Sequence, residues 1–382
     1  MQRFQLNGCD FLKHRAIFTL FLHPMNPLRY LFFPITLVYG GIVTARNLLY
    51  QKQVFKSSSF DMPIICVGNL SMGGTGKTPH TEMLIRILQD EYNIATLSRG
   101  YGRRTSDFQL ANEESSALTI GDEPFQYYRK FPKIKVAVEK KRVLGVLFIL
   151  NQEESTDVIL LDDAFQHRSL SAGMNILLTD FNKPYFEDQL LPIGELRESK
   201  KGSKRADLVI VTKCPEELSE TEMTHFYDKI TIPKEDVFFT KISYKRVYQG
   251  YNLEELQGDI SEYEVLLVTG IAKPQPIEDY LKKKDVKFEA IHFGDHHRFT
   301  KKEVTTISKK FGTFTHSKKL ILTTEKDFSR MLVLKEFSEF PIFCLEIEVQ
   351  FLRDKNKFDN KVLEYVRANK RDSEIPAGEN EL

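Results

Sequence analysis

The chain has no excess of charge of either sign: 54 Lys plus Arg stand against 53 Asp plus Glu in 382 residues. That balance gives no case for a polyanionic partner such as nucleic acid, so any basic site must be local. Cysteine is also scarce. The four present (Cys9, Cys66, Cys214, Cys344) show no C-x-x-C spacing, which argues against a zinc site or a disulfide framework and fits small buried hydrophobes in a reducing compartment. Internal repeats and low-complexity tracts are absent. Nor is there a run of the about 20 apolar residues that a spanning helix wants.

The nearest approach to such a run is Tyr30 to Ala45 (YLFFPITLVYGGIVTA), uncharged, bracketed by Arg29 and Arg46, and interrupted by Pro34, Gly40 and Gly41. The expectation is a helix lying in the membrane interface or dipping into one leaflet; a bitopic anchor and a buried helix are the alternatives. No small-residue cleavage site follows it, so it does not read as a cleaved signal peptide. A second apolar patch, AIFTLFLH, lies within residues 1–24, and Met25 is the expected translation start, which would leave 1–24 as an extension.

From Pro63 onward, short Val/Ile/Leu runs alternate with amphipathic segments, the pattern of βα units in a parallel sheet. Strands are expected at 63–69, 94–100, 135–141, 158–164, 174–180, 208–214, 237–243, 263–271, 288–295, 320–327 and 341–349. The fold class is α/β: a P-loop NTPase-like parallel sheet with helices on both faces, a smaller second α/β domain, and an N-terminal membrane-associated helix. A length of 382 residues suits two domains. The expected layout is the hydrophobic helix at 25–55, the P-loop core at 56–220, the second domain at 221–355 and a tail at 356–382. The tail's final stretch, RANKRDSEIPAGENEL, has little to bury and is expected to be disordered.

The strongest local signal is VGNLSMGGTGKTPH, running from a strand into a helix. Gly73, Gly74 and Gly76 let backbone N–H groups of Ser71, Met72 and Thr75 and their neighbours turn in on phosphate oxygens, Lys77 reaches the β- and γ-phosphates, and Thr78 is placed to ligate Mg2+. The strict G-x-x-x-x-G-K-[ST] pattern fails at its first glycine, which is Ser71 here. A second nucleotide signature is the strand VILLDDAFQH, ending in Asp162 and Asp163, acids suited to holding Mg2+. SRGYGRR groups Arg99, Arg103 and Arg104 around two glycines and Tyr101, a composition suited to gripping an anion, or simply a solvated basic turn. In IGDEP, Asp122 and Glu123 precede Pro124. They either cap a helix or supply the carboxylate that phosphoryl transfer to a hydroxyl needs as proton acceptor.

Taken in order, GNLSMGGTGKTP, SRGYGR, GDEP, LDDAFQH and LLPIGELRE, behind a hydrophobic helix and RNLLY, resemble the tetraacyldisaccharide 4'-kinase family. TGIAKP (269–274), FGDHHRF (293–299) and TTEKD (323–327) extend the resemblance over about residues 25–350, and the family shares the serine variant of the loop. The resemblance implies transfer of the ATP γ-phosphate to the 4'-hydroxyl of a tetraacylated glucosamine disaccharide 1-phosphate, giving lipid IVA, at the cytoplasmic face of the inner membrane. It implies Mg2+ and no other cofactor, and it brings in no protein partner. It also implies a catalytic dyad of Asp122 and His296, with His297 as the competing histidine. By the same resemblance Lys77 and Thr78 serve phosphate and metal, Asp162 and Asp163 arrange the metal's water shell, and Glu123, Arg197 and Glu198 are accessory nucleotide or metal contacts. The rival readings are a membrane-attached regulatory NTPase, which needs no acid-plus-histidine pair, and a soluble small-molecule kinase, which needs no apolar N-terminus.

Overall fold

The computed structural model describes residues 31–370; the extension 1–24 and the proposed start at Met25 lie outside them. Twelve strands form one sheet: β1 (Ile64–Asn69), β2 (Ile94–Ser98), β3 (Gln109–Leu110), β4 (Lys135–Val138), β5 (Val158–Asp162), β6 (Met174–Asp180), β7 (Leu208–Thr212), β8 (Val237–Gln249), β9 (Glu264–Thr269), β10 (Lys287–His292), β11 (Lys319–Thr324) and β12 (Ile342–Phe351). Their order is β10-β9-β11-β12-β8-β7-β6-β1-β5-β2-β4-β3. Every expected strand is present. The two-residue β3, which has no apolar run to announce it, was not foreseen.

Nine helices flank the described sheet: α1 (Phe33–Gln51), α2 (Lys77–Leu88), α3 (Asp122–Lys130), α4 (Arg142–Leu150), α5 (Glu220–Lys229), α6 (Gln275–Lys283), α7 (Lys301–Gly312), α8 (Glu325–Met331) and α9 (Lys355–Asn369). In the P-loop half, α4 and α5 bury Val146, Ile149, Met223 and Phe226 with Leu97, Ile159 and Phe165 on one face of the sheet. On the other face, α2 and α9 bury Leu84, Ile85, Phe358 and Val362 against Ile65, Ile176 and Phe238. Each such side chain removed from water contributes roughly 1.5–3 kcal/mol. Strand order reverses around β1, which has β5 and β2 on one side and β6 and β7 on the other. The crevice at its carboxyl end is therefore where an open α/β sheet binds its ligand.

Two expectations need correction. The domain boundary expected between residues 220 and 221 falls at the start of α5, which leads into β8, a 13-residue strand longer than the expected 237–243. The start of β8 pairs in parallel with β7 (Val209 with Val237), and its remainder pairs antiparallel with β12, from Thr240 opposite Phe351 to Gln249 opposite Phe343. The two halves thus share one strand. The tail expected from 356 begins instead as α9. Phe358, Val362 and Val366 recur every four residues and are fully buried, and the Tyr365 hydroxyl hydrogen-bonds the backbone of Ile64. An i, i+4, i+8 stripe outweighs a charged composition; residues 371–382 lie outside the described ones.

In α1, Pro34 occupies the first turn, where its missing N–H costs nothing. Only Thr36 and Gly40 are buried. Phe33, Ile35, Leu37, Val38, Ile42 and Leu48 are exposed. A Cβ on Gly40 would stand 2.8 Å from Leu190, so the glycine permits the helix's close approach. Tyr39 donates to the Arg197 carbonyl at 2.7 Å, and Asn47 donates to Glu198 at 3.0 Å. Among the described residues no helix is long and apolar enough to cross a membrane.

Candidate active site

The loop after β1 is shaped by two left-handed glycines, Gly73 (φ +111°) and Gly76 (φ +89°). Gly76 opens α2, whose first turn carries no acidic side chain to compete with an anion. Ser71 is bridged as an extended residue to Leu196, and Met72 donates its N–H to the Glu195 carbonyl at 2.7 Å. No left-handed backbone is needed there, which explains why serine can stand at the first glycine of the pattern.

Polar residues from neighbouring strands fasten the loop. Asn69 donates to the Thr75 hydroxyl at 2.9 Å, and the Thr212 hydroxyl donates to the Thr75 carbonyl at 2.9 Å. Lys213 holds the Gly74 carbonyl. Buried His80 lies between the Gly76 carbonyl (2.7 Å) and the Thr240 hydroxyl (3.1 Å); burial pushes its pKa down to about 4, so the ring is neutral.

The two aspartates ending β5 differ sharply. Asp163 accepts from Arg197 at 2.9 Å and faces Lys77 at 3.7 Å. Burial opposes its ionisation, but these cations outweigh it and hold the carboxyl below its usual range. Asp162 accepts one hydrogen bond, from Tyr127 at 3.1 Å, and its other oxygen is buried without a hydrogen-bond partner. Burial, then the nearby Glu123 and Asp163, push Asp162 up to about 7. A buried acid with an orphaned oxygen beside the phosphate loop fits Mg2+, which keeps several waters and takes only one or two protein carboxylates. Asp162 and the half-buried Thr78 are the residues that would hold the ion. Glu123 instead pairs with Lys326 at 2.7 Å.

Asp122 is the first residue of α3, directly after Gly121 (φ +98°), where a Cβ would press on Tyr101 and Gly100. Its Oδ2 accepts from Arg330 Nε at 2.6 Å and lies 3.5 Å from His296 Nδ1. Burial again opposes ionisation, while His296 and Arg330 together hold the carboxyl below its usual range. His296 adopts φ +55° and sits edge-on to Tyr101, with ring centroids 5.5 Å apart. His297 turns away, facing Glu303 at 2.9 Å and stacking on Phe293.

Other candidates separate by environment. Arg99 and Arg104 are exposed, as is Tyr101, at 70%. Arg103 is spent inside its own turn, donating to the Asp107 carbonyl at 2.8 Å and to Thr105, Ser106 and Val138 at 3.3–3.4 Å. It braces the loop and does not reach outward for an anion. Glu198 is 2% exposed and accepts from Arg205, Gln166 and Asn47 at 2.8–3.1 Å. Expected to touch nucleotide or metal, it fastens α1 to the core. Arg197, beside it, does face the site through Asp163. Sequence reasoning missed Arg330, Lys326, Tyr127 and His80. Two of these lie in or just after TTEKD, whose only signal was its place in the motif order.

A sequence profile of the family described as tetraacyldisaccharide-1-P 4'-kinase matches residues 28–367. The tetraacyldisaccharide 4'-kinase of Flavobacterium johnsoniae is 44% identical over 346 residues, covering 90% of this chain and 99% of its own. That of Bacteroides thetaiotaomicron is 41% identical, covering 91% and 96%. The crystal structure of the "apo" form of LpxK from Aquifex aeolicus in complex with ATP superposes with a TM-score of 0.72 at 28% identity, covering 89% of this chain and 99% of that one.

Proposed function

Because the chain belongs to the tetraacyldisaccharide 4'-kinase family, and so is an ATP-dependent kinase of lipid A synthesis acting on a lipid disaccharide phosphate, we propose that Asp122 takes the proton of the 4'-hydroxyl and His296 orients it. In this reading the triphosphate lies in the cradle of residues 71–76 at the start of α2. Lys77 reaches the phosphates, and Asp163 pre-positions both Lys77 and Arg197. Asp162 and Thr78 would hold Mg2+, which when bound would supply charge neutralisation on the phosphates. The hydroxyl oxygen bonds to the γ-phosphorus as the bond to the β-bridging oxygen breaks; the proton passes to Asp122 and ADP leaves. Positioning and charge account for most of such a reaction.

The observation that carries this reading is the 3.5 Å approach of His296, from the second half, to Asp122, from the P-loop half. A regulatory NTPase has no use for that pair. The test is ATP-dependent phosphorylation of tetraacyldisaccharide 1-phosphate in detergent micelles by wild type and Asp122→Ala. Product from the wild type alone supports the assignment; equal turnover by Asp122→Ala removes Asp122 as the base.

The exposed apolar side of α1 supports peripheral attachment at the cytoplasmic face of the inner membrane, where the acyl chains stay in the bilayer while the sugar enters the crevice. Tyr101, exposed beside His296, and the exposed Arg99 of the same loop are the groups offered to the anionic sugar.

A further inference from the structure

One buried cation organises the carboxylate assigned above as the base. The side chain of Arg330, on α8, is 4% exposed, and all three of its guanidinium nitrogens are engaged. Nε donates to Asp122 Oδ2 at 2.6 Å. Nη1 donates to Asp327 Oδ1 at 2.9 Å and to the Gly270 carbonyl at 3.2 Å. Nη2 lies 3.3 Å from His296 Nδ1. Asp327 is itself immobilised, fully buried and accepting from the Gly270 N–H at 2.9 Å and the Thr324 hydroxyl at 2.8 Å.

We propose that Arg330 is a positioning residue for phosphoryl transfer, clamping Oδ2 of Asp122 so that Oδ1 is the oxygen presented to the acceptor hydroxyl, and setting His296 from the same guanidinium plane. The inference rests on the assignment of Asp122 as proton acceptor. A lone aspartate at the first position of a helix can rotate about two side-chain bonds, and a misplacement of about 1 Å costs on the order of 100-fold in rate. The contacts of Arg330 and His296 with the Asp122 carboxylate both run through Oδ2, so one oxygen is anchored and the other is left for substrate. A planar fork is required because the same side chain must serve Asp122, Asp327 and Gly270 in different directions; an ammonium on a flexible stem lacks that geometry. The clamp also crosses the seam between the halves: Asp122 belongs to the P-loop side, while Arg330, Asp327, Gly270 and His296 belong to the other. A second bridge, Lys326 to Glu123 at 2.7 Å, runs beside it. Charges facing Asp122 from every packed element are therefore Arg330 and Lys326 of α8 and His296 of its loop, with Glu123 adjacent on its own helix.

The test is steady-state phosphorylation of tetraacyldisaccharide 1-phosphate by full-length Arg330→Lys, Arg330→Ala, Asp122→Ala and the double variant, with thermal melting alongside. The expected result is a kcat lower by about 100-fold in Arg330→Ala, a smaller loss in Arg330→Lys, and a KM for ATP unchanged in both. Added guanidinium should restore part of the Arg330→Ala rate, and Arg330→Ala should cost nothing further in the Asp122→Ala background. Should Arg330→Ala fail to fold, Arg330→Lys decides: wild-type kcat in that variant overturns the clamp. Multiplying losses in the double variant also overturn it. Wild-type turnover by Asp122→Ala alone would instead overturn the base assignment, so the two failures are distinguishable.

Discussion

Nδ1 of His296 stands 3.5 Å from Oδ2 of Asp122, although the two residues are far apart in sequence and sit on opposite sides of the shared strand β8. The left-handed backbone at His296 makes this approach possible while sending the next side chain the other way. The pair of adjacent histidines, indistinguishable as letters, therefore divides into one that meets the carboxylate and one that packs on Phe293 and faces Glu303.

His296→Ala is expected to lower kcat by roughly 10²–10⁴-fold, the range for a group serving acid–base chemistry, with ATP affinity retained. His297→Ala should keep turnover within about threefold while lowering the melting temperature through lost packing. Parallel kinetics of the two variants check this; the reverse ranking would sink the dyad as drawn.

Glu198→Ala should loosen α1 without changing the dependence of the reaction on Mg2+. The variant leaves the half-buried Arg205 without its carboxylate partner and Asn47 without its acceptor, a loss of about 1–3 kcal/mol. Limited proteolysis between residues 50 and 60 is expected to accelerate. An altered Mg2+ requirement with an intact melting curve would return Glu198 to the metal site.

Glu325 carries a pH dependence of stability. Burial, then the neighbouring Glu82, push it up to about 7 against the pull of Lys130, which lies 2.7 Å away. Since the folded pKa is above the unfolded value, the unfolded chain releases its proton first as pH rises. This group's contribution to stability therefore falls between about pH 4.3 and 7, and the full cost is present above 7. Glu325→Gln removes that cost, while Lys130 keeps Glu82 and Glu346. The variant's melting temperature relative to wild type should climb from pH 5 to pH 8; a flat or falling difference would contradict the assignment.

Placing charge on the exposed side of α1 tests membrane attachment directly. Val38→Asp with Ile42→Asp should reduce flotation with anionic phospholipid vesicles and lower the rate on vesicle-embedded substrate at least about 10-fold. Two charges driven into the hydrocarbon boundary cost several kcal/mol. ATP binding should be untouched. Equal flotation of variant and wild type would mean that another surface makes the contact.

The sequence by itself determined the strands, the phosphate loop and the paired aspartates of β5, because each is written in a signal a few residues long: an apolar run, glycines where φ is positive, acids where a buried strand ends. The four-residue spacing of Phe358, Val362 and Val366 was equally legible, though charged composition drew attention away from it. Tertiary structure alone decided that Arg103 and Glu198 brace the fold and that Arg330 grips the carboxylate from 208 residues away. Hydrogen-bond partners of buried charges are set by which strands and loops the sheet order brings together, and no local pattern encodes that.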